Sequence, residues 1–63
     1  DSLSRRYLVR CIRDYSEHEV AQECFKEYEM LMIVSFSGSG GIYMPLEAQQ
    51  EIRELRRLVY QPD

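Results

Sequence analysis

Ser16–Phe36, SEHEVAQECFKEYEMLMIVSF, is the longest stretch of apolar periodicity in the chain, and its reading decides the fold. Val20, Ala21, Cys24, Phe25, Tyr28, Leu31, Met32 and Ser35 recur at steps of three and four, which paints one face of a helix. Glu19, Glu23, Lys26, Glu27 and Glu29 fill the other side for solvent. Ser16 and Glu19 have the spacing of a capping box: the Ser16 hydroxyl accepts from the Glu19 backbone N–H, and the Glu19 carboxylate accepts from the Ser16 N–H. The helix is therefore predicted to start at that pair, with two carboxylates near its positive end. Met30-Leu31-Met32-Ile33-Val34 is apolar on every side, so this end is expected to be enclosed by other segments or by a partner. A run of five residues also fits a buried strand; the helical reading is preferred.

Upstream, Leu3, Tyr7, Leu8, Cys11, Ile12 and Tyr15 repeat the three-and-four step, predicting a first helix capped by Ser2 or Ser4 and ending near Tyr15. Arg6, Arg10 and Arg13 form a stripe beside that face, with Arg5 further round. An antiparallel hairpin turning at Tyr15–Ser16 would carry this basic stripe toward the glutamates of the second helix and help to choose the register. Two independently solvated charged faces are the equally weighted alternative. Of the five tyrosines, Tyr7, Tyr15 and Tyr28 fit the interior, leaving Tyr43 and Tyr60 as candidate contact residues.

Downstream, Ser37-Gly38-Ser39-Gly40-Gly41 holds all three glycines of the chain and reads as a flexible coil. It is similar to a natural mobile loop, and also to the serine-glycine connectors used to fuse two polypeptides; the second reading is preferred. Ile42-Tyr43-Met44 should run extended into Pro45, which suits a helix start. Ala48, Ile52, Leu55 and Val59, with Leu58 beside them, then make one narrow apolar stripe, and Gln61-Pro62-Asp63 ends the helix. Glu47 and Glu51 precede Arg56 and Arg57, the order that the helix dipole favours. So short a helix is marginal in water and needs a surface to dock on.

At 63 residues the chain is at most one domain, at the lower edge of what folds alone. Apolar residues make up 44%, which argues against disorder, and the net charge of −3 argues against general attraction to nucleic acid or anionic membranes. No apolar run is long enough to span a bilayer, and no signal-peptide pattern opens the chain. The start at Asp1 reads as that of an excised piece. Cys11 and Cys24 each fall on a predicted apolar face and are expected to be reduced, buried thiols in an intracellular protein, cytoplasmic or nuclear; a disulfide joining the two helices is the alternative. With His18 they make three candidate ligands at spacings that match no zinc pattern, so no metal and no cofactor is expected. His18, among acidic neighbours, lacks any nucleophile or second base to work with, and the chain is not expected to be an enzyme. Leu55-Arg56-Arg57-Leu58-Val59 is one residue short of the leucine-x-x-leucine-leucine pattern of groove-binding helices, a match that any amphipathic helix can give.

These readings add up to an all-α three-helix bundle, in which an antiparallel hairpin carries a third amphipathic helix docked across it. Residues 1–36 form the platform, 37–41 the linker, and 42–63 the amphipathic segment, which is a fused partner peptide if the linker is a fusion joint. The expected function is protein binding: Val20, Cys24, Tyr28, Leu31 and Met32 line a groove, and Ile52, Leu55, Leu58 and Val59 fill it. Methionines suit such an adaptable surface. Two rivals stand beside it. One is a homo-oligomerisation domain in which the Met30–Val34 run pairs with its own copy. The other is a non-catalytic fragment of an enzyme or of a nucleic-acid-binding protein.

Overall fold

A computed structural model describes residues 2–38 and 40–60 of the chain, with the backbone alone at Ser2, Leu3 and Ile42. The cap assigned to Ser2, the apolar contact assigned to Leu3 and the terminating Gln61-Pro62-Asp63 lie outside the described groups. Three helices, α1 (Ser2–Asp14), α2 (Glu19–Ser35) and α3 (Leu46–Val59), pack against one another. Two short strands, β1 (Ser37–Gly38) and β2 (Gly41–Ile42), lie between α2 and α3. The molecule is an all-α three-helix bundle.

The connection between α1 and α2 is tighter than a capping box allows. Tyr15 N–H donates to Cys11 O at 3.0 Å and His18 N–H to Tyr15 O at 2.9 Å, so residues 15–18 are spent on reversing the chain. His18, extended at φ −110° and ψ 155°, is the residue before the helix, and no side chain caps it. The predicted Ser16–Glu19 box is therefore not formed. Ser16 lies in the turn, half-buried, and Glu19 is already the first helical residue.

The second correction concerns the cysteines. Cys11 and Cys24 are joined by a disulfide across a Cα–Cα distance of 6.3 Å, and the described residues include no free thiol. Each cysteine stands on an apolar face, as expected, and in an antiparallel hairpin those faces meet, so the two sulfurs arrive opposite each other. Both residues are buried, so the bond lies inside the core beside Leu8, Ile12 and Ala21.

Phe25, Tyr28 and Met32 of α2 and Ile52, Leu55 and Val59 of α3 complete that core. Glu51 meets Tyr28, while Arg56 and Tyr60 meet Phe25, so the residue number falls along α2 as it rises along α3. The third helix thus lies back along α2 in the opposite direction. The Cα extents of 39 × 24 × 16 Å leave room for little more than a single file of buried side chains. That thinness corrects two tyrosines. Tyr7 and Tyr15, expected inside, are exposed because each stands at the edge of an apolar arc wider than the core it serves; of the three, Tyr28 alone is interior.

Ser37–Gly41 is not a free coil. Ser37 pairs with Ile42 and Gly38 with Gly41 in an antiparallel ladder, extended by Tyr43 N–H donating to Phe36 O at 3.1 Å. Gly41 holds φ at +115°, a conformation that side-chain-bearing residues rarely adopt. The last turn of α2 feeds this hairpin: Ser35 Oγ donates back to Leu31 O and Ser37 Oγ to Ile33 O, each at 2.7 Å, and the second occupies a carbonyl that the helix leaves open at its end. Pro45 stands just before α3, where its missing N–H costs nothing, and Gln49 N–H donates to its carbonyl at 3.0 Å.

Candidate functional site

The surface between the α1–α2 hairpin and α3 contains most of the residues singled out from sequence. Leu55 is fully enclosed, with Ile52 and Val59 buried on either side and Leu58 half-buried at the margin. Facing them, Cys24, Tyr28 and Met32 are buried and Leu31 is half-buried. Val20 stands apart: it is 45% exposed, on the outer side of α2 away from this seam. The Met30–Val34 run is not covered all round, since Met30 and Val34 are exposed, Leu31 and Ile33 half-buried, and Met32 alone buried.

Sequence reasoning missed the polar centre of this seam. Tyr28, with no exposed surface, donates its hydroxyl proton to Glu51 Oε1, and the Arg5 guanidinium reaches the same oxygen at 2.6 Å. One carboxylate of α3 thereby binds both other helices. Burial pushes the Glu51 carboxyl up, but the hydrogen bond from Tyr28 and the Arg5 charge outweigh it and hold it below the usual carboxylate range. Burial, then the bond to the Glu51 carboxylate, pushes the Tyr28 phenol well above its ordinary value. A signal for this lock existed: a tyrosine predicted as interior needs an acceptor, and Glu51 borders the apolar stripe beside Ile52.

A second ion pair joins Arg56 of α3 to Glu29 of α2, and the same guanidinium lies 5.6 Å from the Phe25 ring centroid. Of the two equally weighted readings of the charged rows, the meeting of α1 arginines with α2 glutamates does not occur among the described residues; both ion pairs run to α3. The reason is geometric. The disulfide side of the α1–α2 contact is apolar, so both charged rows turn outward.

Where α2 runs into the hairpin and α3 begins, an open cleft of ≈ 440 Å³ remains, with Leu31, Met32, Phe36, Pro45 and Ala48 as apolar walls and Arg5 and Glu51 at one end. The described residues contain no group of three or more His, Cys, Asp or Glu placed to hold a metal, and no helix long and apolar enough to cross a membrane. Cys11 and Cys24 are bonded to each other and so are not ligands.

Fold and site together define a disulfide-linked helical hairpin with an amphipathic helix seated on it. No family model, curated protein or solved structure matches the chain.

Proposed function

We propose that the protein is a non-catalytic protein-interaction module in which the α1–α2 hairpin is a platform for an amphipathic helix and α3 is the helix it holds. The observation that supports this is the seat of α3: a buried stripe of Ile52, Leu55 and Val59, flanked by Glu51 bonded to Tyr28 and Arg5 and by Arg56 paired with Glu29. Such a composition, an apolar centre with charge pairs at its rim, is that of an interface. The link through residues 37–42 supplies few contacts of its own. It keeps the helix beside its seat at an effective concentration of about millimolar, enough to hold a weak complex together. The cystine supports an oxidising compartment for the molecule, in place of the reducing interior expected from two cysteines.

The test is to place a protease site within residues 38–41, cut the folded protein and follow rebinding of the two pieces by calorimetry. The pieces should remain associated after cutting. Leu55→Ala should weaken rebinding more than tenfold, because a few buried anchors dominate such contacts, while the exposed Arg53→Ala should change it little. Equal losses at the two positions, or pieces that part as soon as the chain is cut, would remove this reading.

A further inference from the structure

Two rows of like charge are left outward by the bundle. Arg6, Arg10 and Arg13 are exposed and, with Arg5, Val9 and Glu51, line an open groove of ≈ 380 Å³ along the α1–α3 side. On α2, Glu23 and Glu27 are exposed in a row that keeps the three-and-four step from Val20 through Met30 to Val34, all three of them exposed. Neither of the two ion pairs among the described residues involves Arg6, Arg10, Glu23 or Glu27.

The rows fit each other. Arg6 and Arg10 are four residues apart, as are Glu23 and Glu27, so each pair of charges spans about 6 Å of helix. The groove has a half-buried apolar residue, Val9, among its arginines, and the acidic row has apolar residues at both ends. The acidic row does not fit a copy of itself. Laid antiparallel about its middle, it sets Glu27 against Glu27; laid parallel, it sets both glutamates against their copies. Like charges placed face to face are costly.

We propose that the Val20–Val34 row of one molecule docks in the arginine-lined α1–α3 groove of a second copy. The two surfaces differ, so the contact is head to tail, and every assembly so formed still offers one free groove at one end and one free row at the other. Arg5 and Glu51 border the groove as well as the α3 seat and the cleft, but the docking charges Arg6, Arg10, Glu23 and Glu27 belong to neither, so the contact stands whether or not α3 is the ligand of the hairpin.

Molar mass of the intact oxidised chain, measured by sedimentation over a range of concentrations, tests it. At low salt (~20 mM) the average mass should rise with concentration beyond that of a dimer, and at ~0.5 M salt it should return to the monomer, because exposed charges are then screened. Arg10→Glu and Glu23→Lys should each give a monomer with an unchanged circular dichroism spectrum. An equimolar mixture of the two should associate beyond a dimer again, since the intact groove of one meets the intact row of the other and the two altered surfaces are opposite in charge. The double variant, with its charges exchanged, should associate again. A wild-type chain that stays monomeric up to millimolar concentration at low salt overturns the proposal. So does a dimer that stops at two and is unmoved by Arg10→Glu.

Discussion

Glu51 ties three helices together, because one of its oxygens takes bonds from two other helices. Its folded pKa is lowered relative to an ordinary glutamate value of 4.5, so its contribution is complete above that value and is lost as pH falls through the folded one. Tyr28 acts in the opposite direction. Its folded pKa is raised above the ordinary 10.0, so its contribution is complete below pH 10.0 and is lost as pH climbs toward the folded value. Stability should therefore be flat between about pH 5 and pH 10 as far as this pair is concerned, and should fall on both sides. Tyr28→Phe keeps the buried ring, removes the hydroxyl and should cost about 1.5 to 3 kcal/mol, since the lost bond is to a charged group. Denaturant unfolding at several pH values reads both effects: the variant should lose the alkaline limb and weaken the acidic one, since the Tyr28 bond that helps to hold the Glu51 carboxyl down is gone. A variant with both limbs intact would mean that neither limb comes from the Tyr28–Glu51 pair. In sequence, the burial of Tyr28 was legible from the helical step. Its partner was not, because Glu51 and Arg5 lie 23 and 46 positions from the residues they bond, and periodicity carries no information at that range.

Among the elements, the helices were legible and their connections were not. The apolar steps of α1, α2 and α3 reflect burial on one side, which any partner surface satisfies, so they survive without knowledge of the tertiary arrangement. A turn depends on a few residues that have competing uses. Ser16 and Glu19 had the chemistry of a cap, but the reversal at residues 15–18 claimed those positions first. Likewise the serine and glycine run suggested a coil, since nothing in it can pack, whereas backbone pairing alone is enough to order it. The two glycines at the return of the hairpin separate these readings. Gly41 at φ +115° would strain any replacement, so Gly41→Ala should cost about 1 to 2 kcal/mol. An added methyl at Gly40 meets nothing within 4 Å, and Gly40→Ala should be neutral. Thermal unfolding of the two variants side by side checks the point; a free tether would show no difference between them.

For the whole molecule, small size makes the cystine a large share of the net stability. A domain of 63 residues has only a few kcal/mol of net stability, by the usual scaling of about 0.05 to 0.15 kcal/mol per residue. Closing a loop between positions 13 apart contributes about 3 kcal/mol through the unfolded chain. Reduction of the folded protein, or Cys11→Ser with Cys24→Ser, should then lower the midpoint of thermal unfolding by roughly 10 to 25 °C. A midpoint shifted by less than a few degrees would show that packing of Phe25, Tyr28 and Leu55 suffices. Two cysteines on apolar helix faces look the same in sequence whether or not they are bonded. What decides between the states is that the faces oppose each other, and that follows only from the direction of the hairpin.

The cystine also changes what the chain is as a string. Gripped at its two ends and drawn out, α3 and the strand pair can be peeled from α2, and both α1 before Cys11 and α2 after Cys24 can straighten. The stretch between the two sulfurs cannot join that extension, because tension passes through the bond and bypasses it. The bond withholds 13 steps of backbone, on the order of 45 Å at full extension. Under load the oxidised molecule is a short closed ring bearing two extensible arms, and the turn at residues 15–18 lies inside the ring, where pulling at the ends puts no force on it.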